Sequence, residues 1–158
     1  MYINAYGNEI FPSPNPDYIT SLGTHSVLVY SCGSLWTSII PCLALRGVGT
    51  AIARSHSLRA KILLRRMFHI FVDWSDNSPV NSKNDRETDG YTAEDYVRAI
   101  AGTLNSRYMT ASYGLGNAST AFPISAFVTD LVFLKGGTVH VDIAKLTVCC
   151  FISMWNGF

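Results

Sequence analysis

At 158 residues the chain is most simply one domain, long enough to bury a core of its own. Hydrophobic residues make up 48% and charged residues 15%, so either the core is dense or apolar surface meets a partner or further copies of the chain. The net charge of +1 conceals a bipolar distribution, and four cysteines in a chain this long exclude a disulfide scaffold.

Residues 1–23 read as an extended arm. Pro12, Pro14 and Pro16 alternate with small polar residues and favour a polyproline-like path. Tyr2, Tyr6, Ile10, Phe11 and Tyr18 are too apolar for an idle tail, so the arm is expected to pack on the domain or on a neighbouring subunit. It has neither the basic start nor the apolar run of a signal peptide. Residues 24–158 then form a single domain.

Residues 25–32, HSVLVYSC, alternate like a strand. In 35–45, LWTSIIPCLAL, Pro41 fits an edge strand or a helix beginning near it. The stretch 47–57, GVGTAIARSHS, fits a loop or a short helix. The apolar run from Ser26 to Ala53 is broken by Ser, Thr, Gly and Pro41, so no transmembrane helix is expected.

Leu58–Trp74, LRAKILLRRMFHIFVDW, organises the rest. With a period of two, Ile62, Leu64, Arg66, Phe68, Ile70 and Val72 share one face, and Lys61, Leu63, Arg65, Met67, His69 and Phe71 share the other. This predicts a strand buried on both sides in its middle and basic at its start. No acid occurs from Ile19 to Val72, whereas Asp73–Asp95 holds seven acids against Lys83 and Arg86. Within that acidic part, 75–91 reads as a long exposed loop.

Thr92 opens the clearest helix, 92–106. Thr92 and Asp95 form an N-terminal cap, and Tyr96, Val97, Ile100, Ala101 and Leu104 make an apolar stripe. Residues 107–115 are expected to be a strand. In the C-terminal part, 121–152, two alternating runs flank Gly136-Gly137 and predict a β-hairpin. The expected fold class is therefore α+β, a mostly antiparallel sheet with at least one packed helix.

Chemistry is sparse. The four histidines are far apart in sequence, and there is no CxxC, HxxxH, GxGxxG or P-loop. GLGNAS at 114–119 has no helix signal after it. Cys32, Cys42, Cys149 and Cys150 lie in apolar surroundings and read as buried reduced thiols of a cytoplasmic protein. No catalytic residue, metal or cofactor is expected, and the chain reads as a non-enzyme. The sharpest feature is basic: Arg54, Arg59, Lys61, Arg65 and Arg66, without nearby acids, suit the phosphate oxygens of RNA or anionic lipid.

LRRMFHIFVDW, then a polar loop, then YTAEDYVRAIAGTLNSRYMTA resembles the strand–loop–helix of rhabdovirus matrix proteins. AFVTDLVFLKGGTVHVDIAKL resembles their late hairpin. The short length matches the plant-infecting members, while the family's lysine-rich arm and proline–tyrosine motif are missing. The resemblance implies a viral structural protein of matrix or coat type, in the virion or the host cytoplasm. Such a protein has no small-molecule substrate; it binds ribonucleoprotein and the inner membrane face and self-associates. Tyr2, Tyr6, Phe11, Pro12 and Pro14 of the arm, with Asp85, Glu87 and Asp89 of the loop, are the expected self-association residues. The alternatives are a monomeric nucleic-acid-binding module and a small hydrolase using a histidine or cysteine.

Overall fold

The computed structural model describes residues 2–31, 33–65, 86–106, 121–134, 141–147 and 151–155. Four parallel strands form its main sheet: β3 (Val27–Tyr30), β4 (Ala60–Arg65), β5 (Asp130–Leu134) and β6 (Phe151–Trp155), side by side in chain order. Before them, β1 (Tyr2–Ile3) and β2 (Glu9–Ile10) form a small antiparallel ladder.

The fold is thus α/β, and the expected mostly antiparallel sheet is overturned. The pattern misled for a physical reason: parallel strands need crossover connections, whereas Gly136-Gly137 in sequence suggests a tight reversal. β5 and β6 run parallel with α5 (Ile143–Leu146) between them, so the C-terminal run is no hairpin. Gly136, Gly137 and the strand expected at 107–115 lie outside the described residues.

Residues 1–23, expected as an extended arm, carry the β1–β2 ladder and most of helix α1 (Pro16–Thr24), which begins where Asn15 accepts a bond from the Asp17 N–H and Pro16 starts the first turn. After β3, a widened π turn (Leu35–Ile39) runs directly into α2 (Ile40–Leu43). The wide turn suits Pro41, which has no N–H to continue the ladder. α3 (Val48–Arg54) follows and leads to β4.

α4 (Ala93–Leu104) has the predicted cap. Thr92 accepts from the Asp95 N–H, and the Asp95 carboxylate accepts from the Thr92 N–H at 2.8 Å. Its expected stripe is buried: Tyr96, Val97, Ile100, Ala101 and Leu104. Gly49 of α3 lies so close to the Leu104 carbonyl that any side chain would collide with it. That contact packs α3 directly on α4.

Register sorts the sheet into two faces. Leu28 pairs with Lys61, Tyr30 with Leu63 and Leu63 with Leu131, so these share one face with Phe133. This face meets the helices: Tyr30, Leu63 and Leu131 belong to the core with Leu22, Leu35, Ile52, Ile100 and Phe127. Leu22 of α1, Leu43 of α2, Ile52 of α3, Ile100 of α4 and Leu146 of α5 all belong to this core. The opposite face carries Val27, Val29, Ile62, Leu64 and Val132.

Candidate functional site

In open parallel sheets, ligands bind where the loops leave the carboxyl ends of the strands. At the carboxyl end of β3 the chain passes through Ser31 and Gly33 to Ser34, which starts the helical segment Leu35–Leu43. A Cβ on Gly33 would press on the Ser38 side chain, so this approach of loop to helix requires glycine.

Ser34 holds the N-cap position without using its side chain as a cap. Its carbonyl accepts from the Ser38 and Ile39 N–H groups. Its hydroxyl instead donates to Glu87 Oε2 at 2.7 Å. The N–H groups of Leu35, Trp36 and Thr37, the first of the helical segment, have no protein acceptor among the described residues. They give this end of the helix a partial positive charge. Gly33, Trp36, Thr37 and Ser38 are exposed, so the site is open to solvent.

Glu87 is held by α4. It lies in a single 3-10 turn, Arg86–Thr88, whose fully buried Thr88 hydroxyl accepts from Tyr96 at 2.6 Å. The Tyr91 ring packs edge-on against Tyr96, with centroids 5.7 Å apart. The turn therefore rests on the hydrophobic core and presents Glu87 to Ser34.

The basic residues expected to meet a polyanion are not gathered. Arg54 ends α3, exposed, with its guanidinium 5.8 Å from the Phe122 ring centroid. Arg59 is exposed before β4, and its N–H donates to the Ser26 carbonyl. Both sit at the amino-terminal edge of the sheet, away from the strand ends where Ser34 lies. Lys61 points into the covered face at 6% exposure, where its ammonium donates to the Ala126 carbonyl at 2.8 Å. Burial lowers its pKa. Arg65 is the last residue of β4, and Arg66 lies outside the described residues.

The expected self-association residues are also dispersed. The Tyr2 hydroxyl donates to the Pro41 carbonyl at 2.6 Å, which ties β1 to α2. The Pro12 carbonyl accepts from the Arg46 N–H. Phe11 and Pro14 are half-buried, whereas Tyr6 is 88% exposed. Glu87 belongs to the Ser34 contact, Asp89 is exposed in the next turn, and Asp85 lies outside the described residues. Cys42, expected to be buried, is exposed as a free thiol. The remaining cysteines, His69, His140 and residues 114–119 lie outside the described residues. His25 and His56 are exposed at the amino edge.

Reasoning from sequence missed Ser34 and the helix end beside it. The signal was present, as an alternating strand (Val27–Tyr30) followed at once by a Gly-Ser turn and a Pro at the start of a helix. The antiparallel expectation hid it, because only a parallel strand–turn–helix unit makes that turn a ligand edge.

No protein-family model matches the chain. It is 34% identical over 150 residues to the uncharacterized Saccharomyces cerevisiae protein YNL011C, covering 90% of this chain but 29% of that one. It is similar in structure to a UPF0052 family protein from Bacillus halodurans, at TM-score 0.62 and 20% identity, covering 90% of this chain and 40% of the bacterial one. A second crystal structure from the same bacterium gives TM-score 0.50 and 19% identity. The bacterial likeness shows the fold, and the chain spans well under half the length of each of these proteins. Similarity to yeast and bacterial proteins overturns the resemblance to rhabdovirus matrix proteins, and with it the viral matrix or coat function and the virion location. Among the described residues no single helix is long and apolar enough to cross a membrane; Leu35–Leu43 and Val48–Arg54 together have the length and composition, but they meet at 77°.

Proposed function

We propose that the chain binds a phosphate-bearing small molecule at the carboxyl edge of its parallel sheet. Its part in this is binding and not catalysis. The observation that carries the reading is the helix start at Leu35–Thr37, where Trp36 and Thr37 meet solvent. Three N–H groups there lack protein acceptors among the described residues, because the first N–H groups of a helix have no partner within it and the Ser34 hydroxyl, which donates to Glu87, caps none of them. A glycine-serine turn between a parallel strand and a helix start suits the close approach of anionic oxygens. Glu87 stands beside this helix end as a built-in anion, and an incoming phosphate competes with it for the same field. A small anion fits these features better than a long polyanion, since Lys61 is committed to the interior.

Calorimetric titration with pyrophosphate, ADP and adenosine tests the reading. Pyrophosphate and ADP are expected to bind and adenosine not to bind. Gly33→Val, which forces the loop off Ser38, should remove binding. Glu87→Gln should tighten it about two- to fivefold, the effect of about 0.3–1 kcal/mol for a charge at a helix end. Adenosine binding as well as ADP, or indifference to Gly33→Val, would sink the proposal.

A further inference from the structure

Glu87 is a carboxylate that the anion site cannot shed. Its turn hangs on the core through Thr88, whose fully buried hydroxyl accepts from Tyr96 at 2.6 Å and whose carbonyl accepts from the Tyr91 N–H. Glu87 forms no ion pair among the described residues, where the ion pairs join Arg98 to Glu94 and Lys145 to Asp142. What it accepts is a single neutral donor, the Ser34 hydroxyl at 2.7 Å.

A phosphate group on the N–H groups of Leu35–Thr37 comes to lie beside this charge. The two anions repel, and the Ser34 hydroxyl, drawn to a phosphate oxygen, leaves Glu87 without its donor. A bare phosphate therefore loses beside Glu87 part of what it gains at the helix end. A ligand with a donor of its own next to the phosphate avoids that loss. Its donor replaces Ser34 on Glu87 while Ser34 turns to the phosphate, so every polar group keeps a partner. The donor that Glu87 holds now is a hydroxyl, and the partial positive charge of the helix start disfavours an ammonium in the same place. We infer that the ligand of this site is a phosphate ester of a diol or polyol, with a hydroxyl on the carbon next to the esterified one, and that Glu87 is the residue that selects that hydroxyl. The inference rests on the reading of the helix start as an anion site. Glu87 then acts in opposite directions on two kinds of ligand: it opposes a bare phosphate and holds a hydroxylated one.

Calorimetric titration with glycerol 3-phosphate and propyl phosphate, which share a carbon skeleton and a phosphate and differ in their hydroxyls, tests the selection. The wild-type chain should bind glycerol 3-phosphate about fivefold more tightly, the size of one net hydrogen bond. Ethanolamine phosphate, which has an ammonium in place of the hydroxyl, should bind more weakly than glycerol 3-phosphate. Glu87→Ala should weaken glycerol 3-phosphate and tighten propyl phosphate, bringing the two within about twofold of each other. Glu87 is exposed, so its truncation empties no core, and circular dichroism checks that the variant is folded. If neither ester nor pyrophosphate binds the wild-type chain, the anion site itself fails and the inference with it. If the esters bind equally well, if the preference survives in Glu87→Ala, or if ethanolamine phosphate binds as tightly as glycerol 3-phosphate, the anion site stands and the selection of a hydroxyl by Glu87 is overturned.

Discussion

Leu63 and Leu64 are consecutive residues of one strand with the same side chain, yet Leu63 is 2% exposed and Leu64 is 39% exposed. The difference is one of face. Leu63 pairs with Tyr30 and Leu131 beneath α1–α4, while Leu64 pairs with Val132 on the uncovered side. Strands that are apolar on both faces read as members of a parallel sheet meant to be covered twice. The two leucines therefore mark what the described helices already cover and what they leave open.

The comparison breaks most sharply where the covered face is emptied. Phe127, at 0% exposure, packs edge-on against Phe122 and accepts the Tyr30 hydroxyl bond on its carbonyl at 2.8 Å. Phe127→Ala should cost about 3–5 kcal/mol and Leu63→Ala about 2–5 kcal/mol, through lost burial and the cavities left behind. Urea denaturation followed by tryptophan fluorescence reads both. If either costs under about 1 kcal/mol, the covered face is not the core of the fold.

A middle-sized effect tests the helix that roofs the covered face. Thr92→Ala removes the cap of α4 and should cost about 1 kcal/mol. The cap also carries a pH dependence. The Thr92 hydroxyl, and after it the Thr92 N–H, hold the Asp95 carboxyl below its usual range. A lowered carboxylate contributes stability above its ordinary value, and that contribution fades as the pH falls through the lower folded value. The wild-type urea midpoint should therefore drop further between neutral and strongly acid pH than that of Asp95→Asn. Equal drops in the two proteins would remove the capping box from the acid response.

How much of this was legible in the residues differs from element to element. α4 could be read almost to its ends, because its cap and its stripe are local: Thr92–Asp95 and Tyr96–Leu104 lie within one helix. β3 and the start of β4 were legible as strands from their alternation. Their direction was not, since a parallel pair looks like an antiparallel one until the crossover is known, and Val27 meets Ala60 only after α3 has returned the chain. Lys61 read as part of a basic surface because its charge is visible in sequence, whereas its acceptor, the Ala126 carbonyl, lies 65 residues away. Ser34 and Glu87 were hidden for the same reason, being 53 residues apart and joined only by folding.

The smallest effect belongs to Leu64 itself. In the isolated chain, Leu64→Ser gives up only the part of a leucine that is already buried, and it replaces exposed apolar surface with a group that water solvates. Its stability should stay within about 0.5 kcal/mol of wild type, as for substitutions away from core, caps and networks. The value sharpens the comparison only against its neighbour. Leu63→Ala and Leu64→Ser measured under one set of conditions should differ by about 2 kcal/mol or more, because one deletion opens a cavity and the other does not. A loss at Leu64 equal to that at Leu63 would mean that the second face is already filled in the chain alone. A strand with both neighbours equally costly is packed on both sides.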